Sequence, residues 1–428
     1  MTMLKAAFNA VGCKLNQYEI QAIAEALEPC GFQIVPFSDK ADLYVINTCT
    51  VTGKADYTSR QMVRRAIRKN PSAKVIVTGC YAELEPELNQ SLGDDVVVIG
   101  NVDKTAIPRT VLSMFGISSH EPLVGKPITR MNGHSRAFIK IQEGCREKCT
   151  YCVIWKARGK PVSRKPEHII DEINALYENG YREVVLAGVH IGKYKNQLNF
   201  HELLKTIINN TDIPRLRLSS LKPNEFKDEI IDLIAAEKRI CPHVHLPIQS
   251  GDDAILKLMG RKYKSGFVSK LVNRLVEARQ GITIGADFIV GFPGESDNHF
   301  ESTVSLVKEN PINHLHVFSY SDRPGTPASA FADKVSPEDK FRRSARLRRI
   351  GGKKKVEHAR SFIGKTLDII VEDRQKSGLL AGISGNYHKV EFAGDPSFRG
   401  KYIYIYINSF KKDALVGDAN SVKLIKKD

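Results

Sequence analysis

The chain has 428 residues, of which 64 are basic and 48 acidic, so its formal net charge is +16. The length favours two to three domains, and the charge indicates a polyanionic partner, most simply nucleic acid, although a merely soluble basic protein would share it. No run of about 18 apolar residues occurs, so no membrane span is expected. The N-terminus reads as a strand rather than a signal peptide. Eight cysteines in such a chain favour metal ligation in a reducing cytoplasm over disulfides.

The first 125 residues alternate short apolar strands with helical patterns. One helix is predicted where Ile20, Ile23, Ala24 and Leu27 share a face, with Gly31 as its stop. Together the elements predict a doubly wound, parallel α/β domain over residues 1–125. Residues 126–135 lack periodicity and are predicted to be a linker. The predicted strands are 5–12, 32–37, 43–48, 74–79 and 95–100.

A second series of strands and helices follows over residues 136–360. A helix is predicted at 167–179, between a proline and a glycine, and a long basic helix at 337–360. Six strands of this kind predict a partial (βα)6 barrel, about three quarters of an eightfold turn. The predicted strands are 137–142, 183–189, 215–220, 243–248, 282–291 and 314–320.

The segment 363–428 changes character, because its strands alternate and glycine-rich turns separate them. Tyr402, Tyr404 and Tyr406 interleave with isoleucines, which is the period of two of a half-buried strand. This pattern predicts a small antiparallel β-barrel of OB-like kind. The predicted strands are 366–373, 388–393, 402–408 and 421–427.

Cys145, Cys149 and Cys152 form a C-x3-C-x2-C run at the end of the first barrel strand. Three thiolates at this spacing can hold three irons of a [4Fe-4S] cluster and leave the fourth iron open to a small molecule. A ferredoxin-type run would add a fourth cysteine, and a structural zinc site would also need four ligands. The run therefore indicates an open cluster of the kind that binds and cleaves S-adenosylmethionine.

Three further cysteines each follow a predicted strand of the first domain, namely Cys13, Cys49 and Cys80. Ligands bind at the carboxyl ends of the strands in open α/β sheets, and nearby helix N-termini favour thiolates. A single cysteine there is usually a small buried hydrophobe, but three at equivalent positions indicate a second cluster. Cys30 and Cys241 have no such context and are predicted to be structural.

With these motifs the chain resembles the radical S-adenosylmethionine methylthiotransferases, which have an N-terminal cluster domain, a radical barrel and a C-terminal TRAM domain. The sequences of its cysteine motifs are most similar to those of the MtaB branch, which acts on N6-threonylcarbamoyladenosine in transfer RNA. The isopentenyladenosine branch typically reads Cys-Gln-Met-Asn at the first motif, and the ribosomal-protein branch Cys-Pro-Lys-Asn. Besides the C-x3-C-x2-C run, the matching motifs are Gly12-Cys-Lys-Leu-Asn-Gln-Tyr-Glu19, Asn47-Thr-Cys-Thr-Val-Thr52, Thr78-Gly-Cys80, His245-Leu-Pro-Ile-Gln-Ser-Gly251, Asp287-Phe-Ile-Val-Gly-Phe-Pro-Gly-Glu295 and Phe318-Ser-Tyr-Ser-Asp-Arg-Pro-Gly-Thr326.

The resemblance implies two [4Fe-4S] clusters and two molecules of S-adenosylmethionine per turnover. One cluster would generate a 5′-deoxyadenosyl radical that removes hydrogen from adenine C2 at position 37, next to the anticodon. The other would carry the sulfur that is methylated and transferred. The implied partners are the tRNA anticodon loop, an electron donor and a sulfur source, and the chain is expected to be a monomer. Methylthiolation of isopentenyladenosine, methylthiolation of a ribosomal-protein aspartate and a non-catalytic iron–sulfur RNA sensor remain as alternatives.

The resemblance also implies residues around S-adenosylmethionine. Tyr151 would lie near the adenine, Gly188 near the methionine end, and Gln249 near the ribose. Ile289 and Phe318 would line the adenine pocket, although both could equally be core residues.

The chain departs from the family after the cluster run, where Trp155 and Lys156 replace a usual Pro-Tyr. Trp155 could stack on a flipped base or serve packing alone. Two basic runs, on a helix at 60–69 and on the helix at 337–360, suggest phosphate contacts, although solvated charged faces are the usual explanation for such runs. The tyrosines of the last domain could stack on bases or form one aromatic face of a barrel wall.

Overall fold

The computed structural model describes residues 3–93, 96–118, 120–374 and 378–424. It begins with a five-stranded parallel sheet in the order β2-β1-β3-β4-β5, as the sequence predicts. The strands are near-continuous apolar runs, which a sheet covered on both faces needs. Position 95 of the predicted fifth strand lies outside the described residues. The elements are β1 (Leu4–Ala10), α1 (Lys14–Leu27), β2 (Phe32–Val35), β3 (Leu43–Thr48), α2 (Gly53–Lys69), β4 (Lys74–Gly79), α3 (Cys80–Leu84), α4 (Leu88–Leu92), β5 (Val96–Ile99) and α5 (Ile107–Met114).

The predicted linker at 126–135 has neither helix nor strand, but it is packed rather than loose. Ile128 and Met131 are buried in the core of the following barrel. The backbone amide of Ile128 donates to the Glu172 carboxylate at 3.1 Å, and that of Met131 to the Tyr181 hydroxyl at 2.6 Å. The Thr129 amide also donates to the Glu25 carboxylate of α1 at 2.8 Å, so the segment fixes the first domain against the barrel.

Six parallel strands form the partial barrel as two runs, β11-β8-β6 and β12-β13-β14, with the short antiparallel strand β7 beside β6. A bridge between Leu216 and Ile240 and a hydrogen bond from Leu221 N to His245 O, 3.0 Å long, connect the two runs. The predicted helix at 337–360 is confirmed. The elements are β6 (Ala137–Glu143), α6 (Ile154–Ala157), β7 (Val162–Ser163), α7 (Pro166–Glu178), β8 (Glu183–Gly188), β9 (Lys195–Asn196), β10 (Leu198–Asn199), α8 (Phe200–Asn210), β11 (Arg215–Leu218), α9 (Asp228–Ala236), β12 (His243–Gln249), α10 (Asp253–Leu258), α11 (Ser265–Ala278), β13 (Thr283–Val290), α12 (Asp297–Glu309), β14 (His314–Ser319) and α13 (Pro337–Arg360).

The C-terminal segment is a closed five-stranded barrel in the order β15-β16-β17-β19-β18, with β15 pairing back to β18. The prediction of a small barrel is confirmed, but it missed β16 and β19 and expected only antiparallel pairs, whereas β17 and β19 are parallel. Of the predicted strand at 421–427, β20 covers positions 423 and 424, and positions 425–427 lie outside the described residues. The strands are β15 (Thr366–Arg374), β16 (Leu380–Ser384), β17 (Lys389–Phe392), β18 (Tyr402–Lys411), β19 (Ala414–Gly417) and β20 (Lys423–Leu424).

Side chains from the barrel connect the three parts. Arg323, in the loop after β14, donates to the Asp56 carboxylate of α2 at 2.6 Å and also to Thr50. At the opposite end of the barrel, Arg217 donates to the backbone carbonyls of Ser384 and Gly385. Across the described ranges, no helix combines the length and apolar character that a bilayer crossing requires.

Candidate active site

Three cysteines lie at the carboxyl edge of the first sheet. Cys13 follows β1 and precedes α1, Cys49 follows β3, and Cys80 begins α3 directly after β4. Since β1, β3 and β4 are neighbours in the sheet, these three thiols meet at one place. Burial is the main effect that raises the pKa of Cys49 to about 12, and the charges of Cys13 and Cys80 act in the same direction.

The surroundings of this first triad suit a metal–sulfur cluster. Gly12 has φ +93°, and a Cβ there would lie 2.5 Å from the Cys49 sulfur, so only glycine leaves that space open. The Arg158 Nε donates to the Cys80 sulfur at 3.2 Å, and Asn101 Nδ2 lies 3.9 Å from it. Burial holds the pKa of Cys80 above its ordinary value. Bound iron would reverse that preference, because metal coordination deprotonates a thiol.

The second triad lies in the loop between β6 and α6. The Cys145 sulfur accepts from the Glu147 amide at 3.4 Å and lies 3.8 Å from His190 Nδ1. Burial acts to raise the pKa of Cys145, but these two groups lower it below its ordinary value. Cys149 and Cys152 are joined by a backbone hydrogen bond of 3.0 Å, and burial raises the pKa of Cys152 to about 11. Three sulfurs in one loop, with the Glu147 N–H donating to that of Cys145, fit an iron–sulfur cluster.

A cavity of about 210 Å³ opens beside this second triad. Four of the five residues predicted around S-adenosylmethionine line it together with Cys152, namely Tyr151, Gln249, Ile289 and Phe318. Phe318 is 44% exposed, so it forms part of the cavity wall rather than the core. The Tyr151 hydroxyl accepts from Arg261 Nη2 at 2.5 Å, which fixes the ring.

Gly188, the fifth predicted residue, ends β8 and is not among the residues that line this cavity. A Cβ at this position would lie 2.7 Å from the Ile191 side chain and 3.0 Å from the Gln142 carbonyl. The close approach of β6 to β8 therefore explains the glycine without a ligand. A role near the methionine end remains a prediction.

His190 and Glu225 form a buried pair that the sequence did not indicate. The His190 ring contacts Glu225 through Nε2 and faces Cys145 through Nδ1. Burial acts to lower the pKa of His190, but Cys145 and Glu225 raise it. The pair therefore orients a donor toward a cysteine of the second triad.

Asp287 lies on the inner face of the barrel and lines the same cavity. Its Oδ1 is 2.9 Å from His245 Nε2 and 3.4 Å from His316 Nδ1. Burial acts to raise the pKa of Asp287, but these two histidines hold it well below its usual range. The aspartate therefore carries a negative charge into the cavity.

Trp155 lies on α6, three residues after Cys152. The ammonium groups of Lys148 and Lys156 each lie 5.4 Å from the centre of its ring. The Lys156 ammonium also donates to the Gly325 carbonyl at 2.7 Å. The ring is half-buried and has two cations near it, an arrangement that suits base stacking and packing alike.

The long helix α13 is less available to phosphate than its composition suggested. Arg343 is buried against Glu295 at 2.8 Å, Arg342 pairs with Asp297 at 3.0 Å, and Arg346 pairs with a glutamate of α12. The predicted phosphate contacts of α13 therefore exclude these three arginines, which already have acidic partners. On α2, by contrast, Arg64, Arg65, Arg68 and Lys69 are exposed.

The tyrosines of β18 alternate as predicted. The three intervening isoleucines are fully buried, whereas Tyr404 and Tyr406 are 45% and 41% exposed. The Tyr402 hydroxyl donates to Asp368 at 3.1 Å. One aromatic face of the C-terminal barrel is therefore open to a partner.

Comparisons with known proteins agree with this architecture. The model of the Radical SAM superfamily matches residues 139–307, and that of the Uncharacterized protein family UPF0004 matches residues 5–100. Among solved structures, the radical S-adenosylmethionine methyltransferase TsrM from Kitasatospora setae shares the fold with a TM-score of 0.57. The sequence identity is 18%, and the match covers 77% of each chain.

Curated relatives match almost the whole chain. Threonylcarbamoyladenosine tRNA methylthiotransferase MtaB from Bacillus subtilis is 37% identical, covering 95% of this chain and 94% of its own length. MtaB from Thermotoga maritima is 34% identical with the same coverage. The tRNA-2-methylthio-N(6)-dimethylallyladenosine synthase of Endomicrobium trichonymphae is 31% identical, covering 95% and 98%.

The chain therefore belongs to the radical SAM tRNA methylthiotransferases. Within that family, it shares more identity with these MtaB enzymes than with the dimethylallyladenosine synthase. As a radical SAM enzyme it uses S-adenosylmethionine and a [4Fe-4S] cluster.

Proposed function

We propose that this enzyme adds a methylthio group to C2 of N6-threonylcarbamoyladenosine at position 37 of tRNA, next to the anticodon. The MtaB relatives carry that nucleoside in their names and match nearly the full chain. The net charge of +16 suits an RNA substrate. The chain also reads Cys13-Lys-Leu-Asn16 at the position that distinguishes the branches.

In this proposal the second triad, Cys145, Cys149 and Cys152, holds the cluster that meets S-adenosylmethionine. The first triad, Cys13, Cys49 and Cys80, holds a second [4Fe-4S] cluster. When bound, the cluster on Cys145, Cys149 and Cys152 supplies the electron that cleaves S-adenosylmethionine. The cleavage gives a radical able to attack an unactivated C–H bond. The observation that carries the proposal is the contact from Arg158 to the Cys80 sulfur at 3.2 Å. Arg158 lies six residues after Cys152, so this contact brings the two triads to one interface.

The chain's own residues would orient the reactants. Tyr151, Gln249, Ile289 and Phe318 would surround S-adenosylmethionine in the cavity that they line, with Gly188 toward its methionine end. The adenine has to leave the loop stack before C2 is exposed, which costs a few kcal/mol. Exposed arginines of α2 and the tyrosines of β18 would offset that cost by contacting phosphate and bases.

The reaction also needs partners that the chain does not contain. Each turnover would consume two molecules of S-adenosylmethionine, one as the radical source and one as the methyl donor. An electron donor must reduce the enzyme, and a sulfur source must restore the sulfur that leaves with the product. We propose that the chain acts as a monomer on the anticodon loop.

The first test is mass spectrometry of tRNA nucleosides from cells that lack the protein. We expect the 2-methylthio form of threonylcarbamoyladenosine to disappear while the dimethylallyladenosine product persists. Loss of the dimethylallyladenosine product instead would identify the other tRNA substrate. An unchanged nucleoside profile with loss of methylthiolation on a ribosomal-protein aspartate would refute a tRNA substrate altogether.

The second test separates the two triads in the purified, anaerobically reconstituted enzyme. Cys145→Ala should abolish cleavage of S-adenosylmethionine, whereas Cys80→Ala should spare cleavage but stop sulfur insertion. Cys30→Ala is the matched control, because Cys30 is buried and belongs to neither triad. Normal sulfur insertion by the Cys80 variant would contradict the second cluster. An enzyme that holds clusters but never cleaves S-adenosylmethionine would be a sensor instead.

A further inference from the structure

Arg158 is a buried arginine that lies between the two cysteine triads. It follows α6 in the barrel, yet all three of its guanidinium nitrogens reach groups of the first domain. Nε donates to the Cys80 sulfur at 3.2 Å, Nη1 to Glu19 at 2.8 Å, and Nη2 to Asn16 at 2.6 Å. Its side chain is only 1% exposed. A fully buried cation therefore lies directly against one cysteine of the first triad.

The charges around Arg158 do not cancel. The Glu19 carboxylate forms ion pairs with Arg158, with Lys104 at 2.6 Å and with Lys140 at 3.5 Å. The Glu143 carboxylate forms ion pairs with Arg158 at 2.7 Å and with Lys140 at 3.0 Å. Within this network three cations therefore face two carboxylates. Arg158 is the cation of this network that also donates to the Cys80 sulfur, at 3.2 Å. A buried surplus charge is unfavourable unless an anion accompanies it.

An iron–sulfur cluster on three thiolates would be such an anion. Hydrogen bonds to cluster sulfurs and nearby positive charge favour the reduced, more negative state and so raise the reduction potential. We infer that Arg158 is a positioning residue that raises the reduction potential of the cluster on Cys13, Cys49 and Cys80. This inference rests on the proposed second cluster, and it assigns the control of that cluster's reduction potential to Arg158.

Arg158 also connects the two halves of the site. Its backbone lies six residues after Cys152, so the segment that carries a ligand of the second triad also carries the cation of the first. The backbone carbonyl of Ala157, its neighbour, accepts from Asn101 Nδ2 at 2.6 Å, and Asn101 Oδ1 accepts from Lys104 Nζ at 2.7 Å. Arg158 could also act only by holding these two segments together. The experiment has to separate that structural role from an effect on the reduction potential of the cluster.

Arg164 provides the matched control. It lies six residues further along the same segment and also crosses the domain boundary. Its Nη1 donates to the Tyr18 hydroxyl of α1 at 3.0 Å and to Glu172 at 2.6 Å. Unlike Arg158, it has no contact with a cysteine sulfur among the hydrogen bonds of the described residues. Arg164→Gln should therefore weaken the domain contact without affecting the cluster directly.

The experiment is a redox titration, followed by electron paramagnetic resonance, of the full chain carrying Cys145→Ala, Cys149→Ala and Cys152→Ala. Only the cluster on the first triad then contributes a signal. Adding Arg158→Gln should disfavour reduction about tenfold, which is a shift of about 59 mV to more negative potential for a one-electron couple. Arg158→Lys keeps the charge and should shift the potential less. Arg164→Gln should leave it unchanged.

The outcomes separate the inference from the proposed function. If the triple cysteine variant retains no iron, the proposed second cluster is refuted and the inference falls with it. If it retains about four irons but Arg158→Gln leaves the potential unchanged, only the inference is overturned. An equal shift in Arg164→Gln would also overturn it, because domain contact alone would then be the cause. If Arg158→Gln fails to retain iron, the comparison of Arg158→Lys with Arg164→Lys decides in the same way.

Discussion

Replacing Glu183 should destabilise the barrel more than any exposed substitution. Glu183 is the first residue of β8 and is fully buried. It accepts from Arg217 Nε at 2.6 Å and from Arg215 Nη2 at 2.7 Å. The same arginines donate to carbonyls of the C-terminal barrel, at Ile383 and Gly385 among others. Glu183→Gln would leave two buried arginines beside each other, with the more distant Asp368, 3.7 Å from Arg215 Nε, as the remaining counter-charge.

The pKa of Glu183 gives the size of this effect. Burial acts to raise that pKa, but Arg215 and Arg217 lower it from 4.5 to about 2. At about 1.4 kcal/mol per pH unit, the difference contributes about 3 kcal/mol to the free energy of unfolding at pH 7. Because the folded pKa is the lower one, this stability is present above pH 4.5 and is lost as the pH falls toward 2. By the same relation it should fall to roughly half that value at pH 3.

The assay is urea unfolding followed by Trp155 fluorescence, since Trp155 is the only tryptophan and lies in the barrel. Glu183→Gln should lower the free energy of unfolding by about 3 kcal/mol at pH 7, and by less at pH 3. Glu178→Gln, at an exposed glutamate on α7, should change it by less than about 0.5 kcal/mol. A Glu183 variant within about 0.5 kcal/mol of the wild type at pH 7 would refute this account of the ion pairs.

Two further substitutions test the loop of the second triad and the RNA surface. Gly144→Ala should destabilise the metal-free protein by about 1–3 kcal/mol, because φ is +76° and a Cβ would lie 2.1 Å from the Lys160 carbonyl oxygen. Gly159→Ala, with φ +62° and no atom within 4 Å of its Cβ, should cost less, and equal losses in thermal unfolding would argue against the close contact. Arg64→Ala should reduce the salt dependence of tRNA binding by about 0.7–0.9 in the log–log slope. Arg346→Ala should not, because that arginine is already paired; equal effects in a filter-binding titration would show that both contact phosphate.

The sequence predicted the two parallel sheets well and the C-terminal barrel less completely. Strands β3 and β4 and helix α13 have their predicted bounds, because long apolar or basic runs end at clear boundaries. Strands β16 and β19 were missed, since Leu380–Ser384 and Ala414–Gly417 are four or five residues long and each contains a glycine. Short strands of this kind are defined by their partners across the barrel rather than by their own pattern.

In the candidate site, too, local patterns could be predicted from the sequence and contacts between distant residues could not. The spacing of Cys145, Cys149 and Cys152 is local information, so the sequence alone indicated an open cluster. The contact between Arg158 and Cys80 joins residues 78 positions apart, and no local pattern predicts it. The pairing of Arg343 with Glu295 likewise depends on how α12 packs against α13. Charge counts along one helix cannot reveal the partners that another helix supplies.

Helix α1 explains how the two triads are held in register. It begins directly after Cys13, and it packs against β6, the strand that leads to Cys145. Its buried face toward the barrel is polar, with Asn16 and Glu19 almost inaccessible to solvent. An apolar helix face could slide by a turn at modest cost, whereas a shift here would leave Glu19 and Arg158 buried without partners, which costs several kcal/mol. We therefore expect Glu19→Gln to loosen this register, and changed distances between labels on the two domains, measured by pulsed dipolar spectroscopy, would reveal it. Unchanged distances would show that the Glu19 ion pairs are not needed to align the domains.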